Sequence, residues 1–420
     1  MIAQFSAWPL QLRLFVVFLV SAVVAGQLNR GIYRLAWFQR DIGPWRPPAR
    51  ESPPRSWTDR LPIVGWFGLR RESSLHGAGY WVRPMLIELA FGLGMVWLYW
   101  LETSGKLVNA QLPLAAPRII SILHVQFFAH FILISLMTVA TFIDIDEKTI
   151  PDAITIPGTL LGLLIGALWP QSRMLIIGLT AGGQQQVTNL LVSGPHPWNP
   201  LLDGNDGLWL GIACFVAWCY ALLPKTWWTR GGPLKAVKYL LARIRREPIS
   251  KWIMGMAMVG SLIIVYFWRK DGHAWQGGLS SLVGMAFGGG LVWAVRCVAG
   301  WALRKEAMGF GDVTLMAMIG SFVGWQAALM IFFLAPLAGM VIAIAQWLIT
   351  RQAEIAYGPF LCAATLGLIV FWADIWEKWG LEIFKLGWWV PALVGVCLIL
   401  MAVLLWIWRL ISSLLFRQPV

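Results

Sequence analysis

Apolar runs long enough to cross a bilayer recur along the whole chain, and that repetition leaves it few ways to fold. A spanning helix needs roughly 20 such residues. Runs of this kind fall at about 10–28, 84–101, 119–143, 153–172, 207–223, 252–268, 279–303, 313–324, 325–349, 359–374 and 389–411. They predict an all-α, polytopic integral membrane helical bundle with about eleven membrane segments. The run 313–324 is too short to cross alone and reads as a half-buried helix, a feature tolerated where it lines a cavity.

Composition closes the soluble alternatives. Of 420 residues, 58% are hydrophobic and 13% charged, with a mean hydropathy of +0.68, which no soluble domain of this size shows. Many of the 28 tryptophans flank the apolar runs, where indole rings favour the headgroup region. The first run leads into Gln27-Leu28-Asn29-Arg30 without a small-residue cleavage site, so it is expected to stay as a helix rather than leave as a signal peptide. Cys214, Cys219, Cys297, Cys362 and Cys397 all lie in apolar runs and form no CxxC pair, so neither a disulfide framework nor a thiolate metal site is implied. The net charge of +13 reports loop orientation rather than a nucleic-acid partner.

Residues 30–83 hold ten arginines against four acids, and 224–251 hold eight basic residues against Glu247. The alternating loops 102–118, 173–206, 269–278 and 375–388 are nearly balanced. The positive-inside rule then puts 30–83, 144–152, 224–251, 304–312 and 350–358 on the cytoplasmic side. The segment 30–83, rich in Pro, Arg and Trp, is expected to be a small cytoplasmic domain or ordered loop, and 183–207 an extracytoplasmic loop. Leu234 to Arg246 reads as a basic amphipathic helix on the inner leaflet.

Against this apolar background two aspartates stand out. Asp144 ends one run, in Thr141-Phe142-Ile143-Asp144-Ile145-Asp146-Glu147-Lys148-Thr149-Ile150-Pro151-Asp152, and Asp312 opens another, in Gly309-Phe310-Gly311-Asp312. A carboxylate at membrane depth costs several kcal/mol unless paired and marks a functional site by default. The loop charges place both on one face, and that placement played no part in finding them. Two carboxylates suit amide hydrolysis: one ionised to activate water, one protonated to polarise the carbonyl. Gly309 and Gly311 allow a close backbone approach. The bland readings differ by residue. Asp152, after Pro151, is expected to be an N-cap, and Asp146, Glu147 and Lys148 a solvated turn. Asp312 alone would also pass for an N-cap. Asp203 and Asp206 read as turn residues, and His124 and His130, six apart, share no face for a metal.

The two motifs together resemble the type IV prepilin peptidase family of GxGD intramembrane aspartyl proteases. Ile143-Asp144 through Ile150-Pro151-Asp152 is similar to the family's first aspartate stretch, and Gly309-Phe310-Gly311-Asp312 to its second. Gly26-Gln27-Leu28-Asn29 with Tyr33-Arg34-Leu35, Arg83-Pro84-Met85-Leu86-Ile87-Glu88-Leu89 and Tyr357-Gly358-Pro359-Phe360 resemble three further family stretches in the same order. The resemblance implies a catalytic pair, Asp144 and Asp312, supported by Gly309, Gly311, Pro151, Asp152, Gly358 and Pro359. It implies cleavage of basic leader peptides from prepilin or pseudopilin precursors at the cytoplasmic face of a bacterial inner membrane. The lipid bilayer is a partner, nucleic acid is not, and proteolysis needs no cofactor. Arg83 and Glu88 fit the region linked to N-methylation with S-adenosylmethionine, although Glu88 equally suits a buried hydrogen-bonding role.

The departures carry expectations too. Many relatives hold two CxxC pairs, thought to bind zinc, in the first cytoplasmic domain. No cysteine lies between 30 and 83 here, so no zinc is expected, although Trp57 to Trp66 resembles the sequence between those pairs. The division expected is 1–29 first helix, 30–83 basic segment, 84–180 first half of the core, 181–278 an insertion with two extra helices, 279–374 second half, and 375–420 an extra C-terminal helix and basic tail. An even number of inserted crossings keeps Asp312 on the side of Asp144. The rival reading is a non-enzymatic polytopic scaffold or a cation- or proton-coupled transporter, since membrane aspartates also serve as relays.

Overall fold

The computed structural model describes all residues except 1, 48–51, 107–116, 180–181, 224–234, 236–237, 239–241, 243–245, 271, 305–307, 351–355 and 416–420. The basic helix expected over 234–246 lies largely outside the described residues. Each of the eleven apolar runs holds a helix: α1 (Leu10–Leu35), α2 (Val82–Thr103), α3 (Pro117–Glu147), α4 (Asp152–Leu168), α5 (Asn205–Leu222), α6 (Pro248–Lys270), α7 (His273–Leu303), α8 (Phe310–Val323), α9 (Trp325–Thr350), α10 (Gly358–Val370) and α11 (Trp389–Leu415). Seven of these are long and apolar enough to cross a membrane; α4, α8 and Trp325–Val341 of α9 are shorter apolar helices. After α10 the chain bends by 87° into Trp372–Phe384, a broken span or re-entrant turn. The protein is an all-α polytopic bundle.

One small addition breaks the helical pattern. Between α4 and α5, β1 (Leu175–Leu179) pairs antiparallel with β2 (Gln185–Asn189), with Leu175 opposite Asn189. The alternation of period two that marks a half-buried strand is missing from Leu-Ile-Ile-Gly-Leu. The cross-strand partner defines the strand here.

The centre of the bundle is α8. Its 14 residues rise only about 21 Å, short of a bilayer's hydrocarbon thickness. Every residue from Asp312 to Val323 is buried, so no part of this stretch faces lipid. Small residues make that enclosure possible. Gly284 of α7 and Gly320 of α8 meet backbone to backbone, and a Cβ at Gly288 would lie 2.7 Å from the Met316 carbonyl oxygen. On the other flank, Gly158 of α4 faces Met318, and Gly162 faces Ser321 and Phe322. With little hydrophobic driving force between helices in lipid, such close packing carries the association. Around α5 and α6 a separate apolar cluster, including Phe215, Trp218, Ile264 and Trp275, fastens the expected insertion to α7.

The segment after α1 is held by ion pairs beside the buried Trp66 and Leu69. Arg55 grips Glu72 with two contacts of 2.6 and 2.7 Å, and Arg71 pairs with Asp59. Asp59 also accepts the Ser56 N–H at 2.7 Å in a capping box. Burial alone would push the Glu72 carboxyl up, but Arg55 and the Ser52 hydroxyl bring it below the usual carboxylate range.

Candidate functional site

Asp144 sits in the last turn of α3 and Asp312 in the first turn of α8, 4% and 7% exposed. The fold brings the two carboxylates close enough to interact electrostatically. Each also has a backbone donor. The Gly358 N–H, at the start of α10, donates to Asp144 Oδ2 at 3.0 Å. Gly309, the N-cap of α8, donates its N–H to the Asp312 carboxylate three residues on, which is half of a capping box. Asp312 therefore serves α8 as well as facing Asp144.

Glycine and Ile150 form the walls. A Cβ at Gly358 would lie 2.5 Å from Asp144 Oδ2 and 2.9 Å from Ile150 Cδ1. A Cβ at Gly311 would lie 3.0 Å from Ile150 Cβ and 3.3 Å from its backbone nitrogen. The extended Ile150-Pro151 link is thus wedged between the starts of α8 and α10. Pro151 with φ −68° and ψ 131° is the N-cap of α4, and Asp152 is the first helical residue. That corrects the expectation by one position. Proline's fixed φ suits the non-helical N-cap here, and the exposed Asp152 favours the positive end of α4 from inside the first turn. Pro359 is buried in the first turn of α10.

The acids after Asp144 do more than form a solvated turn. Asp146 pairs with Arg83 at 2.8 Å, and Arg83 also stacks over Phe142 at 5.3 Å. Glu147 accepts the N–H groups of Trp37 and Phe38 at 2.7 and 2.8 Å. Together they tie α2 and the chain after α1 to the end of α3. Glu88 turns to other partners than Arg83. Its oxygens accept from Asn29 Nδ2 and Trp66 Nε1, both at 2.9 Å, and from the Ile63 N–H at 2.6 Å.

Three neighbours of the aspartates are given no site role by the sequence. Ile150 forms the wall just described, Tyr357 lies within the field of Asp312, and Cys362 lies within that of both carboxylates. Cys362 stands four residues after Gly358, one turn along the same face of α10, which is the signal that would have found it. Among the described residues no group of three His, Cys, Asp or Glu side chains could hold a metal ion.

A helical membrane bundle holding two facing aspartates at the ends of its helices is the class this geometry defines. Residues 244–344 match the model of the type IV leader peptidase family. The match contains Asp312 and stops short of Gly358; Asp144 lies before it. A prepilin leader peptidase/N-methyltransferase of Aeromonas salmonicida (strain A449) is 33% identical over 95 residues, 22% of this chain and 31% of that protein. One from Escherichia coli (strain K12) is 34% identical over 88 residues, 20% of this chain and 39% of that protein. One from Pectobacterium carotovorum subsp. carotovorum is 28% identical over 151 residues and is covered to 54% of its length. The chain thus spans between about a third and about half of these curated relatives. No solved structure matches at a significant level.

Proposed function

We propose that this protein is an intramembrane aspartyl endopeptidase that removes basic leader peptides from prepilin-like precursors. The observation that carries the reading is the meeting of Asp144 and Asp312, from segments 168 positions apart in sequence, with no basic side chain bonded to either carboxylate among the described residues. Two buried carboxylates that act on each other, with no counter-ion, favour a state with one proton on the pair. The ionised member takes a proton from water as it attacks the scissile carbonyl, and the protonated member donates to the carbonyl oxygen. Gly358 holds the Asp144 carboxylate through its N–H, and its missing side chain leaves room for that oxygen. The loop charges support an active site at the cytoplasmic face of an inner membrane, with the apolar part of the substrate entering from the bilayer.

Relatives named N-methyltransferases raise the question of S-adenosylmethionine. Glu88 already accepts three hydrogen bonds. With its oxygens so engaged, Glu88 acts in this arrangement as a buried hydrogen-bonding residue, and no methylation step is derived through it.

The test is leader cleavage of co-expressed prepilin precursors, comparing wild type with Asp144→Asn and Asp312→Asn. Cleavage by wild type alone supports the aspartyl mechanism. Cleavage by both variants at normal protein levels overturns it, and a scaffold or transporter role then takes its place.

A further inference from the structure

Arg173 is the most deeply buried cation in the molecule's described parts, with 1% of its surface exposed. It follows α4 and precedes β1, at the end of the bundle away from the aspartates. No acid pairs with it among the described residues. Its Nη2 donates to the Ser281 hydroxyl and, at 3.4 Å, to the Gly277 carbonyl oxygen, both on α7. Its Nε and Nη1 have no hydrogen-bond acceptor among the described residues. An arginine cannot shed its proton to escape this. Buried guanidinium groups are otherwise paired or fully hydrogen-bonded.

The unused donors lie beside Gly324, where α8 ends and α9 begins. Gly324 has φ +90°, and the Cβ it lacks would stand 3.1 Å from Arg173 Nη1 and 3.6 Å from Gln326 Oε1. The first N–H groups of α9 have no acceptor within their own helix. A helix end carries about half a unit charge. At Gly324 the negative end of α8 meets the positive end of α9, so the two largely offset each other and leave the guanidinium uncompensated. Gln326 Nε2 is already committed to the carbonyl oxygens of Leu191, Val192 and Gly194, which locks this junction to the chain after β2.

We propose that Arg173 anchors a small monovalent anion, of the size and charge of chloride, at the junction of α8 and α9. The ligand would accept from Nε or Nη1 and from the N–H groups of the first turn of α9 that precede Ala328, whose own N–H is bonded to the Gly324 carbonyl. No covalent step is involved. The anion would fasten the hairpin and α7 to the end of α8 opposite Asp312.

The experiment uses the full chain, purified in detergent. Replacing chloride by gluconate at constant ionic strength should lower Tm by about 5 °C, and added chloride or bromide should restore it saturably. Arg173→Gln should show no such halide dependence. Crystals of the wild-type chain grown in bromide should show an anomalous peak within hydrogen-bond distance of Arg173 Nε or Nη1, a result that needs no variant. Water alone at that position, or equal halide dependence in wild type and Arg173→Gln, overturns the proposal.

Discussion

Asp59 and Glu72 are as buried as Asp144 and Asp312, at 3% and 1% exposed against 4% and 7%, yet their surroundings are opposite. Arg71 faces Asp59 and Arg55 grips Glu72 with both oxygens engaged. Asp144 and Asp312 face each other instead, with one backbone N–H apiece. An acid that exists to hold a fold is best matched by a bidentate arginine. Two acids turned toward each other weaken the fold they sit in and gain a shared proton. Like charge without a counter-ion is what the proposed two-carboxylate chemistry requires and what a structural acid avoids.

The comparison breaks first on charge removal. Asp312→Asn and Asp144→Asn should each lower leader cleavage by about 1,000-fold or more while leaving Tm in detergent unchanged or raised. A Tm that falls by several degrees would put these acids with Asp59 and Glu72. Next comes crowding without loss of charge. Gly358→Ala places a methyl against Asp144 Oδ2 and Ile150, and a carboxylate displaced by about 1 Å should cost roughly 100-fold in kcat. Full activity in that variant would show that the carboxylate does not need its present position.

The aspartates were legible because the background was so apolar: an acid ending one run and another opening the next is conspicuous without any knowledge of the fold. All eleven helices were legible for the same reason. Hydropathy misjudged where they end, however. α1 runs on to Leu35, seven residues past the apolar stretch, because Asn29 and Tyr33 are buried against the rest of the bundle and the helix has no reason to stop. The arginine clamps were not legible at all. Arg55 and Glu72 are 17 residues apart, and nothing local tells which of ten arginines meets which acid. The buried Arg173 was hidden likewise, since its surroundings come from α7 and the start of α9.

On the arginine side of the comparison, Glu72→Gln should destabilise the segment 52–80 by about 3 kcal/mol, because it leaves the largely buried Arg55 guanidinium without its counter-charge. Faster hydrogen exchange confined to this segment, with Asp144 and Asp312 still active, is the expected result. The pH sense follows from the lowered Glu72 pKa. The pair's contribution is fully present above the unfolded carboxylate value, about 4.3, and is lost as pH falls through the folded value below it. Protection that instead vanishes near neutral pH would mean that Arg55 does not control this carboxyl.

The smallest effect should come from Asp152, and it draws the sharpest line. It stands beside Pro151 and Ile150 in sequence and inside the same motif as Asp144, yet it is exposed at the start of α4 with Pro151 capping ahead of it. Its service is to the helix end, where a negative charge is favourable but screened by solvent. Asp152→Asn should leave kcat and KM within about two-fold, while raising salt from low to physiological strength should remove what difference remains. If Asp152→Asn instead abolishes cleavage as Asp144→Asn does, exposure is no guide to function here. The site would then extend out of the buried pair into the link that precedes α4.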